Sequence, residues 1–282
     1  MNFLIELLKA AHFLCILVFF VAFSYWVKEE FFLVFIKKKP KNLFSLKTYA
    51  LRLLSNNPTF KLINGGSKGY INFLYIGTIL FGTSPLFFVQ FTDKFDFFGY
   101  EIFFGLISSD QSWLYFVAFC SLGEIFRTFL EPSYKTGLLK ITLLFGLLLT
   151  FLNENLGFSI EHMIQYQKSF SEDGIRNYLL FKNNIGLILI FIIIFLEIEN
   201  PKKQLGLISH LYLTVYSILF IFAFLGGFGL PSILEDSNIK PSLNTIFLQN
   251  ISIIIKFIFI TIIIWALKFT IIKARRKSYV SV

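Results

Sequence analysis

Residues 247–272 read FLQNISIIIKFIFITIIIWALKFTII, and residues 273–277, which follow directly, read KARRK. Lys256 and Lys268 are its only charged residues. The hydrocarbon core of a bilayer is about 30 Å thick and a helix rises about 1.5 Å per residue, so about 20 apolar residues suffice to cross it. The stretch therefore predicts a membrane-crossing helix that ends on basic side chains at the polar interface.

Working outward, the same criterion selects residues 3–27, 70–91, 98–126, 137–158, 179–196 and 205–228. The expectation is an all-α, polytopic membrane protein: a single transmembrane domain over residues 1–282 with about seven transmembrane helices. Composition agrees. The chain is 56% hydrophobic and 15% charged, with a mean hydropathy of +0.71, against about 25% charged residues in soluble domains. Its 39 Phe, with abundant Ile, Leu, Lys, Asn and Tyr, match codons rich in A and T. The first stretch, Ala10 to Val27, is longer than a signal-peptide core and reads as a retained helix. In the fourth, Lys140 and Glu154 stand near opposite ends and are expected to reach the interface. Asp110 interrupts the third, and Pro85 is expected to kink the second.

The basic residues fix an orientation. Lys28, Lys37, Lys38, Lys39, Lys41, Lys47, Arg52, Lys61 and Lys68 lie in the first connection. Arg127 and Lys135 lie in the third, Lys202 and Lys203 in the fifth, and Lys273, Arg275, Arg276 and Lys277 in the tail. The even connections hold only Lys94, Lys168, Arg176 and Lys240. By the positive-inside rule, the odd connections and the carboxyl terminus face inward and the amino terminus outward. The net charge of +9 is thus read as topology and headgroup contact, with no nucleic-acid partner. Within the first connection, residues 42–54 place Leu43, Leu46, Ala50, Leu53 and Leu54 on one helical face. That pattern suits an amphipathic interfacial helix or a loop helix packed on the inner connections.

Ionisable groups at membrane depth cost about 2.5–3.5 kcal/mol on insertion scales, so those retained are candidates for function. Lys256 is the clearest, with Asp110 as a candidate partner. Glu29, Glu30, Glu124, Arg127, Glu131, Glu197 and Glu199 gather near the inner helix ends, where each is either a solvated helix end or part of a proton route. Cys15 and Cys120 are far apart in apolar runs, form no redox or metal motif and read as core packing. His12, His162 and His210 fall on separate elements, unlike paired haem ligands. Gly226 and Gly227 suit close packing or a helix end.

Several motifs, taken in order, resemble subunit 1 of mitochondrial NADH dehydrogenase, the quinone-chamber membrane subunit of respiratory complex I. Ala22 and Phe23 end the first helix, and Lys38, Lys39, Pro40, Lys41 and Asn42 follow, similar to the family's Ala-Phe and Arg-Lys-Gly-Pro-Asn segments. Pro85 stands in the second helix as it does there. Leu122, Gly123, Arg127, Ser133 and Tyr134 resemble its Leu-Gly, Arg and Ser-Tyr-Glu run, and Asn155, Leu156 and Gln165 or Gln167 continue it. Glu197, Glu199, Asn200 and Pro201 are similar to its Glu-Thr-Asn-Arg-x-Pro segment. Phe224 to Gly227 resemble its Phe-Leu-Gly-Gly helix end, and Lys256, Trp265, Lys268, Lys273 and Arg275 its basic last stretch.

Three positions depart from the family. Lys135 replaces the carboxylate of Ser-Tyr-Glu, the acidic loop after the Asn-Arg segment is almost absent, and no eighth helix follows the tail.

The resemblance implies a core subunit of a proton-pumping NADH:ubiquinone oxidoreductase in the mitochondrial inner membrane. The amino terminus would lie in the intermembrane space and the carboxyl terminus in the matrix. Ubiquinone is the implied substrate, with iron–sulfur and flavin centres in partner subunits and no metal or flavin on this chain. Implied partners are the peripheral-arm quinone-site subunits, membrane-arm neighbours and lipids such as cardiolipin. A separate small polypeptide carrying the last helix is a further expectation, as in ciliate-type mitochondria. The implied quinone-chamber and proton-route residues are Glu29, Glu30, Lys38, Pro40, Arg52, Glu124, Arg127, Glu131, Glu197, Glu199 and Lys202. The rival readings are a stand-alone transporter or channel with Lys256 and Asp110 at its midplane, or a structural subunit of another respiratory complex.

Overall fold

The structure is a computed structural model that describes residues 2–37, 69–97, 100–107, 110–130, 134–153, 158–169, 177–199, 206–229 and 243–280. The amphipathic stretch 42–54, together with Lys38, Pro40, Arg52, Glu131 and Lys202, lies outside the described residues, as do the side chains of Glu29, Glu30 and Glu199.

The described chain is helical apart from one hairpin. Its elements are α1 (Asn2–Lys37), α2 (Gly69–Thr83), β1 (Phe95–Phe97), β2 (Tyr100–Ile102), α3 (Ser112–Leu130), α4 (Tyr134–Asn153), α5 (Ile160–Lys168), α6 (Leu179–Lys182), α7 (Asn184–Glu199), α8 (Gly206–Phe224) and α9 (Leu243–Val280). Among the described residues, four helical stretches are long and apolar enough to cross a membrane: Phe3–Lys28, Ser112–Leu130, Lys135–Asn153 and Asn244–Thr270. Phe73–Phe88, Asn184–Ile198 and Ile208–Phe224 are apolar but shorter. Leu149, Ile185, Ile188, Phe247 and Phe259 are large apolar side chains left on the outside, as suits a surface that meets lipid tails.

Central α8 is the most enclosed element. Every residue from Leu211 to Phe224 is buried, and the helix packs against α1, α2, α5, α7 and α9. Tyr212 shows how the neighbours approach. Its ring occupies a slot lined by Gly82 of α2 and Gly123 of α3, where a Cβ on either glycine would collide with it. Its hydroxyl donates to the Thr78 carbonyl at 3.2 Å. Small residues at these two points let the backbones close on the ring.

α1 and α9 run parallel. His12 shares a 3.1 Å hydrogen bond with Asn250, the rings of Phe20 and Phe257 stack at 4.1 Å, and the Lys28 ammonium lies 5.9 Å from the Trp265 ring. The contacts advance in the same direction along both helices.

Three expectations are corrected. The third apolar segment does not enter its helix at residue 98. Residues 95–97 and 100–102 pair as an antiparallel hairpin, Asp110 lies exposed in the turn that follows, and the helix starts at Ser112. The β-branched and aromatic residues of this stretch suit a strand, and a carboxylate needs solvent that mid-helix burial would deny it. Pro85 ends α2 rather than kinking it: the α-helix stops at Thr83 and a 3₁₀ turn continues over Ser84–Phe88. Proline has no N–H to continue the i to i−4 ladder to Phe81, and the preceding Ser84 hydroxyl donates to the Leu80 carbonyl at 2.6 Å. The stretch expected over 179–196 breaks at Asn183, whose side-chain oxygen accepts the Gly186 N–H at 2.7 Å and starts α7. Gly226 and Gly227 do form a helix end, with φ of 70° and 53°, a left-handed geometry that glycine adopts without strain.

Candidate functional site

Each helix around α8 carries a core stripe. On α3 the buried face includes Trp113, Phe116, Val117, Cys120, Glu124 and Arg127. On α4 it includes Lys140, Leu144, Leu147, Leu148 and Phe151, and on α7 Ile190, Ile193, Ile194, Glu197 and Ile198. The spacing is helical throughout, so the four charged residues continue apolar stripes and are carried inward with them. Lys140 accordingly does not reach the interface as expected. It is 1% exposed, like Glu124 and Arg127, and Glu197 is 3% exposed.

The four side chains interlock. Glu197 Oε2 accepts from Lys140 Nζ at 2.6 Å and from Arg127 Nη1 at 2.7 Å. Glu124 Oε1 accepts from Lys140 Nζ at 3.2 Å and lies 3.8 Å from Arg127 Nη1. Each cation therefore touches both carboxylates, and among the described residues two acids face two bases. Helix α8 completes the shell. The Tyr216 hydroxyl donates to Glu124 Oε1 at 2.6 Å, Arg127 Nη2 donates to Ser209 Oγ at 3.3 Å, and the Tyr212 ring lies 5.1 Å from the guanidinium carbon.

Burial of charge in a low-dielectric interior is tolerated only where pairing and hydrogen bonds compensate it, and removal of one partner of such a pair typically costs about 3–5 kcal/mol. Four helices supply the pairing and hydrogen bonds of the cluster. It lies near the carboxyl ends of α3 and α7 and the amino ends of α4 and α8. Lys28 and Trp265 mark the same end of α1 and α9.

Of the residues expected at a site, Glu124, Arg127 and Glu197 are brought together here. Sequence reasoning missed Lys140, Tyr212 and Tyr216 as members. The available signal was phase, since Lys140 falls in register with Leu144, Leu147 and Phe151 on its own helix.

The other expected intramembrane pair does not form as such. Lys256 Nζ donates to the carbonyls of Leu225, Gly227 and Gly229 at 2.9, 2.7 and 2.9 Å, far along the chain from exposed Asp110. Its ammonium caps the end of α8, where the last carbonyls lack helical donors. Gln167 of α5 assists, donating to the Phe222 and Ala223 carbonyls and accepting the Gly226 N–H. At the same end, Lys168 and Gln249 both donate to Asp93 Oδ2 at 2.7 Å. Of the cysteines, Cys120 is buried as expected, whereas Cys15 is exposed on α1. Among the described residues, no group of His, Cys, Asp and Glu side chains is arranged to hold a metal.

Neither the models of known protein families nor the curated proteins contain a match to this sequence.

The Tyr216 hydroxyl contributes a hydrogen bond to a charged acceptor, a class worth about 1.5–3 kcal/mol. Tyr216→Phe is expected to lower unfolding stability of the solubilised protein by that amount. Tyr166→Phe, which removes a hydroxyl facing exposed Lys182, should change it by less than about 0.5 kcal/mol. Equal effects of the two variants, measured by denaturant titration, would contradict the role given to the Tyr216 bond.

Proposed function

We propose that the chain is the quinone-chamber membrane subunit of a divergent proton-pumping NADH:ubiquinone oxidoreductase. The observation that carries this reading is the buried set of Glu124, Arg127, Lys140 and Glu197. Ion pairs that touch crosswise can re-partition protons and charge with small side-chain movement, which is what a subunit linking a redox event to proton transfer needs. Three of its members come from the two segments whose motifs resemble the family: Glu124 and Arg127 from Leu122 to Arg127, and Glu197 with the Asn200 and Pro201 that follow. Glu197 and Glu124 are the proton-responsive groups in this account, and Arg127 and Lys140 their counter-charges. Ubiquinone is the substrate, and the redox centres belong to partner subunits.

The same reading takes all seven apolar helices as transmembrane in the mitochondrial inner membrane. The parallel course of α1 and α9 supports an odd number of crossings, since an even number would set the first and last helices antiparallel. The charge cluster then lies toward the matrix, at the side of the basic connections. Against a stand-alone transporter built on Asp110 and Lys256 stand the exposed position of the first and the carbonyl-bound ammonium of the second.

Two measurements test this. On native gels of gently solubilised membranes, the chain is expected to co-migrate with NADH-oxidising activity. Migration as a small independent species, or with a different respiratory complex, would refute the assignment. Impermeant lysine labelling of intact organelles and of inverted inner-membrane vesicles should place the Lys37 to Lys68 region and the Lys273 to Lys277 tail on one common face. Labelling on opposite faces would refute the crossing count.

A further inference from the structure

The charge cluster is not closed on itself. Glu197 Oε2 takes both cations, but Glu197 Oε1 is buried and has no hydrogen-bond partner among the described residues. Of the seven other buried polar atoms in that condition among the described residues, two, His210 Nε2 and Trp265 Nε1, belong to residues beside it. The three come from different helices, α7, α8 and α9, and are 3%, 2% and 3% exposed. All three residues line one recess, together with Lys28, Ser209 and Lys268.

A buried polar group without a partner is destabilising, so three such residues on the lining of one space call for a common occupant. Size and chemistry define it. The recess leaves about 20 Å³ for the centres of water molecules, and a single water needs about 10–15 Å³ on that measure. An organic ring requires far more, since ligand pockets run to about 300 Å³ and above. The indole N–H of Trp265 can only donate, and a carboxylate oxygen can only accept. His210 shares its Nδ1 with the Ser24 hydroxyl at 3.3 Å, which leaves Nε2 for the recess in either tautomer. Water alone among common small molecules both donates and accepts with enough geometric freedom to serve all three.

We propose that the recess holds ordered water bonded to Glu197 Oε1, His210 Nε2 and Trp265 Nε1. This water makes Glu197 the carboxylate through which the buried cluster exchanges protons with the basic end of the protein. In uptake, an O–H bond of the water breaks as the Oε1–H bond forms, and a proton arriving from the outer side restores the water. Release runs the same path in reverse, and the negative charge returns to Glu197 beside Arg127 and Lys140. Glu124 differs, because its Oε1 is taken by Tyr216 and Lys140. The proposal rests on local geometry and does not depend on which assembly the chain joins.

The test uses the protein within the assembly isolated from its own membrane. A cryo-EM map that resolves ordered water is expected to show density in the recess within about 3.2 Å of at least two of the three atoms. A dry recess, or one filled by a lipid tail, overturns the proposal. A second readout is deuterium exchange of tryptophan indole N–H groups in the ¹⁵N-Trp-labelled assembly. Trp113 serves as the internal control, being fully buried with an unpartnered Nε1 and outside this recess, and Trp265→Phe identifies the signal. The Trp265 N–H should exchange at least about 100-fold faster than that of Trp113, since one contacts water and the other does not. Equal protection of both overturns the proposal.

Discussion

Two carboxylates and two cations held out of water between four helices constrain everything around them. Glu197 accepts from Arg127 and Lys140 at 2.7 and 2.6 Å, and a shift of any one helix would strip a charge of its partner in a medium that cannot solvate it. Lipid supplies no hydrophobic drive to hold helices together, because its tails are as apolar as leucine. Specificity must then come from packing and from polar contacts, and the cluster provides the second. The glycine slot around Tyr212 provides the first beside it, with the same tyrosine ring against the Arg127 guanidinium. Fold and candidate function thus draw on the same atoms.

The two ends of the molecule are built differently. At the end near Asp93 and Gly226, polar contacts close off backbone and loops. Lys256 and Gln167 satisfy the terminal carbonyls of α8, and Lys168 and Gln249 secure Asp93. There the ammonium groups tie chain segments together. At the other end two carboxylates and two cations touch crosswise, while Glu197, His210 and Trp265 gather at a recess.

Much of the helical architecture was legible because the bilayer sets a minimum length and tolerates few charges. The apolar blocks therefore mark the helices, and Gly226 and Gly227 mark one helix end. Failures occurred where a short-range rule overrode that length argument, at the strand-forming residues before Asp110, at Pro85 and at Asn183. The site was legible only in part. Glu124, Arg127 and Glu197 stood out as charges at apolar borders. Lys140 was misread because a lysine one turn or more inside a helix can equally reach outward. In a soluble protein, polar residues on the opposite face would have shown which way it pointed. Here Leu138, Leu139, Phe145 and Leu149 on the outer face of α4 are as apolar as the core stripe, so no amphipathic period separated inside from outside. Tyr212 and Tyr216 were hidden for the same reason on a helix enclosed all round.

Glu124, Arg127, Lys140 and Glu197 act as one unit. A double-mutant cycle of Lys140→Met and Glu197→Gln, read as unfolding free energy of the purified protein, tests it most directly. Each single variant is expected to lose about 3–5 kcal/mol by leaving an uncompensated buried charge. The double variant, neutral again, should lose less than the sum by about 2–3 kcal/mol. Additive losses within about 0.5 kcal/mol would show that Lys140 and Glu197 do not depend on each other and would contradict the account.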